Sequence, residues 1–276
     1  MSSPALVSFS ALPASCLLLD ARPSGFAQGH LPGALPANLN TCLSSASAPD
    51  HDPARGGRHP LPEPAQWAAQ LAAWGLTPDT RVVAYDDALG GNGAARLWWM
   101  LRAAGHTRVA LLDGPLPALL AAPAAPAQPV QRTPVPAPRL EHWLAPTVTL
   151  EQVDRLRQDP DWKVLDVRSA PRYRGETEPL DPVAGHIPGA LNLPYTESLG
   201  PDGLMRPARD LRRRFLDLLG ETPRSRLVVH CGSGVTACHT LLALEVAGLP
   251  GAAVYMGSWS EWCRNPVPRA TGPDPG

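Results

Sequence analysis

Short, continuous apolar runs alternate along this chain with longer stretches in which apolar positions recur every three or four residues. In the second half, the short runs predict strands near residues 164–167, 191–193, 227–229 and 253–255. The longer stretches predict helices over 150–158, 208–219 and 235–247, the last stopped by Gly248 as a C-terminal cap. Strands and helices in alternation imply a parallel, doubly wound sheet. In such a sheet, ligands bind beyond the carboxyl ends of the strands.

The pattern occurs twice. Leu18-Leu19-Asp20-Ala21-Arg22 is echoed by Val164-Leu165-Asp166-Val167-Arg168, and Gly29-His30-Leu31-Pro32-Gly33-Ala34 by Gly185-His186-Ile187-Pro188-Gly189-Ala190. Arg81-Val82-Val83-Ala84-Tyr85-Asp86 is echoed in turn by Arg226-Leu227-Val228-Val229-His230-Cys231. The order is the same in both halves, and the period is far too long for a solenoid repeat. The expected fold is therefore α/β, in two tandem domains, each a parallel sheet flanked by helices. Their bounds are set at 1–122 and 148–270, with 123–147 as a Pro/Ala-rich linker. Pro123, Pro126, Pro129, Pro134, Pro136 and Pro138 break regular structure there and predict a semi-extended path.

Composition narrows the function classes. A chain of 276 residues accommodates two domains of ordinary size. Net charge is −1, with no basic stripe, so no nucleic-acid partner is expected. No apolar run reaches the ~20 residues of a membrane helix, so no membrane partner is expected. Leu12-Pro13-Ala14-Ser15-Cys16 has the look of a lipoprotein cleavage site, but no Lys or Arg precedes it and it runs into a folded-looking segment. Five irregularly spaced cysteines fit reduced thiols in a cytoplasmic protein better than a disulfide framework.

Chemistry concentrates at His230-Cys231-Gly232-Ser233-Gly234-Val235-Thr236-Ala237. Cys231 stands where a strand ends and a helix is about to begin. Gly232 and Gly234 permit backbone conformations that turn successive N–H groups inward. The helix adds its positive end, and Ser233 and Thr236 add hydroxyls. Such a turn activates a cysteine as a nucleophile. The residues 232–236 form an anion cradle around the sulfur. A phosphatase would need an arginine after the loop to clamp the phosphoryl group. Ala237, Cys238 and His239 stand there instead, so phosphoryl transfer is disfavoured. Sulfur transfer needs only the thiolate, the N–H cradle and groups that recognise a donor.

These residues resemble the rhodanese superfamily, and within it the tandem-domain sulfurtransferases, over nearly the whole chain. The loop 231–236, the segment Gly257-Ser258-Trp259-Ser260-Glu261-Trp262, the Gly-His-Ile-Pro-Gly-Ala at 185–190 and Trp98-Trp99-Met100 carry the likeness. The neutral loop resembles that of 3-mercaptopyruvate sulfurtransferases, whereas thiosulfate-preferring relatives usually carry basic residues there. The resemblance implies a non-catalytic first domain, in agreement with Asp86 at the position matching Cys231. It also implies a site at the interface of the two domains, with Ser233 and His59 in a proton relay. The relay's acid falls on Asn40, a departure, and Asp50 or Asp52 is the candidate substitute. Arg172 matches the first of two donor-binding arginines. The second position falls in Glu178-Pro179-Leu180-Asp181, which has no arginine, so Arg174, Arg55 or Arg58 is expected to supply that charge.

The implied activity is transfer of sulfur from 3-mercaptopyruvate, through a Cys231 persulfide, to cyanide, a small thiol or a thioredoxin-like protein, with no metal or organic cofactor. Thiosulfate stays open as the donor. A non-catalytic rhodanese module that binds partners is the reading from another class, and the intact Cys231 loop argues against it. His30 and His186, kept in both halves beside a Pro-Gly turn, read as structural. So do Asp20 with Arg22 and Asp166 with Arg168. His230 is expected to point away from the thiolate, because neighbouring strand residues face opposite ways. Cys238 and His239 do not match zinc spacing. Cys263 is expected to be a partly exposed thiol, Cys16 and Cys42 to be inert, and Trp98 and Trp99 to lie in the core or the domain interface.

Overall fold

The apolar runs pair in parallel into two separate sheets in the computed structural model, which describes residues 4–13, 15–114, 116 and 132–276. Two compact units result. The first draws its described residues from Met1–Ser47, Leu61–Ala145 and Asp202–Leu204. Its strands are β1 (Leu6–Ser8), β2 (Leu17–Asp20), β3 (Leu35–Pro36), β4 (Val82–Tyr85) and β5 (Val109–Asp113). They lie in the order β1-β5-β4-β2-β3. Helices α1 (Pro64–Ala73) and α2 (Ala94–Ala103) supply the covering layers. Trp98 and Trp99 are both buried, as core residues of α2.

The proline-rich segment is docked on this unit from residue 132 onward. The Val135 N–H donates to the Ala72 carbonyl and the Leu144 N–H to the Ala103 carbonyl. The Trp143 ring lies 6.3 Å from Trp67 and 6.0 Å from Trp99. Residues 123–131, with Pro123, Pro126 and Pro129 of the expected linker, lie outside the described residues.

The second unit takes Ala48–Pro60, Pro146–Pro201 and Met205–Gly276. Its strands β6 (Lys163–Asp166), β7 (Ala190–Asn192), β8 (Leu227–His230) and β9 (Ala253–Val254) lie in the order β7-β6-β8-β9, all parallel. All four β8 residues are buried, as a central strand covered on both faces requires. Helices α3 (Leu150–Leu156), α4 (Ala170–Tyr173), α5 (Ala208–Leu219), α6 (Val235–Val246) and α7 (Ser258–Trp262) complete the unit. On α5, Leu211, Phe215 and Leu219 form a single buried stripe at four-residue spacing. Helix α6 is buried on nearly every side. It ends as expected, with Gly248 at φ +69° and its N–H on the Glu245 carbonyl. Helices α4 and α7 have no counterpart in the hydrophobic pattern, since each is about one turn long and shows no periodicity. No helix among the described residues is long and apolar enough to cross a membrane.

Candidate active site

Strand β8 delivers Cys231 at its carboxyl end, between the neighbouring strands β6 and β9, and α6 begins four residues later. The Cys231 side chain is buried. Gly234, the residue before α6, has φ +73°, and a Cβ there would stand 2.7 Å from the Met256 carbonyl oxygen. Both facts require glycine.

Helix α7 braces this loop from behind. The Trp259 N–H donates to the Cys231 carbonyl (3.0 Å) and the Ser260 N–H to the Gly232 carbonyl (2.9 Å). The Ser258 hydroxyl accepts from the N–H groups of Cys231 (3.1 Å) and Gly234 (2.9 Å) and donates to the Tyr255 carbonyl (2.8 Å). Ser258 holds this place at φ +54°, in the left-handed region that a non-glycine residue enters only at a cost. In a trans peptide the N–H points opposite to its carbonyl. With the carbonyls of Cys231 and Gly232 tied to α7, the N–H groups of Gly232 and Ser233 face away from it. Val235 and Thr236 lie in the first turn of α6, where N–H groups have no intrahelical partner. Of the five cradle residues 232–236 expected from the sequence, Gly234 is the exception, since its N–H is spent on Ser258, and the N–H groups of Gly232, Ser233, Val235 and Thr236 are left for an anion.

The segment Ala48–Pro60 belongs to this unit, and it brings His59 to the loop. His59 Nδ1 lies 2.8 Å from Ser233 Oγ. Arg58 arrives with it. A Cβ on Gly232 would stand 3.3 Å from an Arg58 nitrogen and 3.3 Å from an Arg172 nitrogen, so both guanidinium groups flank the residue after Cys231.

These arginines are held by carboxylates that sequence reasoning passes over. Glu178 accepts from Arg172 (2.7 Å) and faces Arg168 (3.3 Å). Asp181 pairs with Arg58, with Arg264 (2.8 Å) and, at 3.7 Å, with Arg172. Asp166 pairs with Arg168 through two nitrogens. One connected network therefore sets four guanidinium groups against three carboxylates, all three nearly inaccessible to solvent, and keeps one positive charge in excess. Arg174 is not brought to the loop. It sits at the C-cap of α4 and pairs with Glu176 across exposed surface (2.6 Å). Arg55 is exposed. Asn40 lies exposed in the first unit, with its N–H on the Asn38 side chain, and Asp52 closes a local turn onto the Ala54 N–H. Asp50 is exposed.

Beneath the loop, Arg168 also donates to the Gly185 carbonyl (2.7 Å), as Arg22 bonds Asp20 and the Gly29 carbonyl in the first unit. Burial works against the Asp166 carboxylate, but Arg168 beside it holds its pKa below the ordinary value. His230 is fully buried and its Nδ1 lies 3.2 Å from the Cys231 carbonyl oxygen, so that nitrogen carries the proton. Burial pushes the His230 pKa down from its ordinary value. His186 stacks on Tyr173 (3.8 Å) and bonds its carbonyl, and His30 does the same with Phe26 (3.9 Å). Each lies two residues ahead of its Pro-Gly turn, and His186 also pairs with Ala270 through an antiparallel bridge. Cys238 and His239 are interior residues of α6. Cys263 corrects an expectation. It is buried, not partly exposed, because the C-cap of α7 turns it into the core cluster of Trp259 and Trp262, and burial raises its pKa.

The first unit shows the same strand–loop–helix with the anion built in. Asp86, at the end of β4, accepts N–H groups from Ala88, Gly90, Asn92, Gly93 and Ala94, at 2.8–3.0 Å. The sequence carries a signal for this: two acceptor oxygens before a run of glycines and a helix start.

The rhodanese-like domain family matches residues 8–122 and again 149–265. The chain is 46% identical to a probable 3-mercaptopyruvate sulfurtransferase of Pseudomonas aeruginosa, over 90% of this chain and 86% of that one. It is 39% identical to a putative thiosulfate sulfurtransferase of Mycobacterium tuberculosis, over 88% and 84%. The solved 3-mercaptopyruvate sulfurtransferase from Leishmania major superposes with a TM-score of 0.74 at 29% identity, covering 91% of this chain and 71% of that one.

Proposed function

The chain belongs to the rhodanese family of sulfurtransferases, and from that premise we propose that it takes sulfur from 3-mercaptopyruvate onto Cys231 and passes it to a thiol or cyanide. One observation carries the donor assignment. Arg58 and Arg172 converge beside Cys231, at the residue next to the nucleophile, while His59 pairs with Ser233 on the same loop. Two guanidinium groups offer the planar, charged fork that a carboxylate needs.

In this reading the Cys231 thiolate attacks the donor sulfur and forms an S–S bond. The donor's C–S bond breaks and its electron pair stays on carbon, as the enolate of pyruvate. The proton of the donor thiol moves to that carbon, through Ser233 and His59, and pyruvate leaves. The sulfur remains on Cys231 as a persulfide anion held by the N–H groups of Gly232, Ser233, Val235 and Thr236, with the Thr236 hydroxyl beside them. Cyanide or a thiolate then attacks the outer sulfur, and the S–S pair of electrons returns to Cys231. Arg174, partly buried and paired with Glu176, is replaced by Arg58 in the donor-binding role. The acceptor class includes a thioredoxin-like protein, and the reduced thiols fit a cytoplasmic setting.

Mass spectrometry after incubation with donor tests the first half-reaction. Wild type should gain one sulfur atom and Cys231→Ser none, and an unchanged wild-type mass with both 3-mercaptopyruvate and thiosulfate would sink the proposal. Steady-state rates test the donor. Arg58→Ala and Arg172→Ala should each raise KM for 3-mercaptopyruvate by roughly tenfold or more, as charge-assisted hydrogen bonds are lost. A larger wild-type kcat/KM with thiosulfate would replace the donor.

A further inference from the structure

Helix α7 has a second face. While its start braces the Cys231 loop, its remaining residues grip the strap that carries Arg58 and His59. Glu261 Oε1 accepts the Gly56 N–H at 2.7 Å. Ser260 Oγ accepts the Arg58 N–H at 2.9 Å. The Asn265 amide, just past the helix, donates to the Ala54 carbonyl at 3.0 Å. Three side chains thus clamp three alternate residues of one strap.

The fit is built into both partners. Gly56 and Gly57 have φ of +84° and +78°, and a Cβ on Gly57 would stand 2.3 Å from the Gly257 carbonyl oxygen and 2.6 Å from Ser260 Oγ. Gly257 is glycine for a different reason. Its own φ of −59° suits any residue, but a Cβ there would stand 1.7 Å from the Glu261 carboxylate. Gly57 clears the space in which the strap lies on α7, Gly257 clears the space through which Glu261 reaches it, and Gly56 makes room for Pro60 within the strap itself.

We propose that α7 is a two-sided jig that sets the donor-binding cation and the relay histidine against the nucleophile, and that Glu261 is the positioning residue on the strap side. Glu261 acts through the Gly56 N–H. The catalytic consequence rests on the reading of Arg58 as donor ligand. The clasp itself does not.

Hydrogen–deuterium exchange of the whole protein reads the clasp without any donor. In Glu261→Ala, peptides spanning residues 54–60 should exchange about tenfold faster or more, for loss of a hydrogen bond to a charged group. In Glu261→Gln they should exchange as in wild type, because the amide oxygen still accepts the Gly56 N–H. Gly57→Ala should loosen the same residues by a route that leaves Glu261 intact, and it serves where Glu261→Ala fails to fold. In both loosened variants KM for 3-mercaptopyruvate should rise roughly tenfold. In Glu261→Ala, alkylation of Cys231 by iodoacetamide should stay within about twofold of wild type, since the ties of Ser258, Trp259 and Ser260 to the loop do not pass through that carboxylate. Wild-type exchange at 54–60 in Glu261→Ala and Gly57→Ala would overturn the clasp, as would Cys231 alkylation that falls in step with KM in Glu261→Ala. Loosened exchange with unchanged KM, together with an unchanged KM in Arg58→Ala, would remove the donor reading and leave the clasp standing.

Discussion

The loops after β4 and β8 are the same structural device finished in two ways. Each follows a central parallel strand, each precedes a helix, and each gathers backbone N–H groups that have no partner in regular structure. In the first unit the chain supplies its own anion. Asp86 takes five of those N–H groups, and the loop is a closed, self-satisfied nest. In the second unit the matching residue is Cys231, and only two loop donors are taken, by the Ser258 hydroxyl. The others are left for an anion, which in the proposed reaction is the persulfide. The stable loop and the reactive loop therefore differ in where the negative charge comes from, and in whether it is permanent. The buried Asp-Arg pair under each loop is unchanged between them.

The largest expected effect comes from emptying the closed nest. Asp86→Ala leaves five donors without an acceptor, three of them buried, and removal of one member of such a buried charged constellation costs about 3–5 kcal/mol. Urea unfolding should register that loss, while alkylation of Cys231 proceeds at the wild-type rate. The reverse holds for Cys231→Ala, which should lose all sulfur transfer and less than about 1 kcal/mol of stability, as a small buried apolar group is truncated. An Asp86→Ala variant within about 1 kcal/mol of wild type would mean that water serves the first loop as well as the carboxylate does, and the contrast would fail.

Part of this contrast is legible in the amino-acid sequence itself. The strands of the second half fall within one or two residues of the apolar runs, because a strand buried on both faces must be apolar throughout. The place of Cys231 is legible because a strand end, two glycines and a helix start are local features. What escapes is everything that depends on distant chain segments meeting. Asp181 and Glu178 look like a gap where an arginine is missing. They are the carboxylates that place Arg58 and Arg172, and Arg58 comes from a segment more than a hundred residues earlier. Charge pairing across such separations leaves no periodic trace. Helices α4 and α7 escape because about one turn is too short to show a period. Arg174 is paired with Glu176 and is not among the arginines of the buried network, a placement that a helix of four residues gives no periodic pattern to foresee.

Ser258 offers a smaller perturbation of the open loop alone. Ser258→Ala removes the acceptor for the Cys231 and Gly234 N–H groups and keeps the unfavourable φ of +54°. Stability should fall by about 2 kcal/mol, as two buried donors lose their partner. Reactivity should fall as well, because the loop N–H groups lose their fixed direction, so iodoacetamide should alkylate Cys231 several-fold more slowly. The Asp86 loop has no dependence on this residue. A variant that loses stability but alkylates at the wild-type rate would show that the tie to the Tyr255 carbonyl matters and the tie to the loop does not.

The smallest effect separates the two units by pH. Tyr85 ends β4 where His230 ends β8. Burial raises the Tyr85 pKa, so that group stays neutral across the acidic range in both folded and unfolded states. Burial lowers the His230 pKa below its ordinary 6.5. The folded protein then resists a proton that the unfolded chain accepts, and stability is full above pH 6.5 and declines as pH falls from there to the folded pKa. The slope for one such group is at most about 1.4 kcal/mol per pH unit. His106 contributes with the same sign in the first unit, where burial also lowers its pKa. Urea midpoints measured at about pH 7.5 and about pH 5.5 should therefore differ less in His230→Gln than in wild type, and less again when His106→Gln is added. Glutamine keeps a donor for the Cys231 carbonyl, so the loop is preserved while the titration is removed. An unchanged pH dependence in His230→Gln would mean that the native ring accepts its second proton. It would then face Asp166, 3.8 Å away, as an ion pair, and the charge under the reactive loop would be one unit more positive than under the closed one.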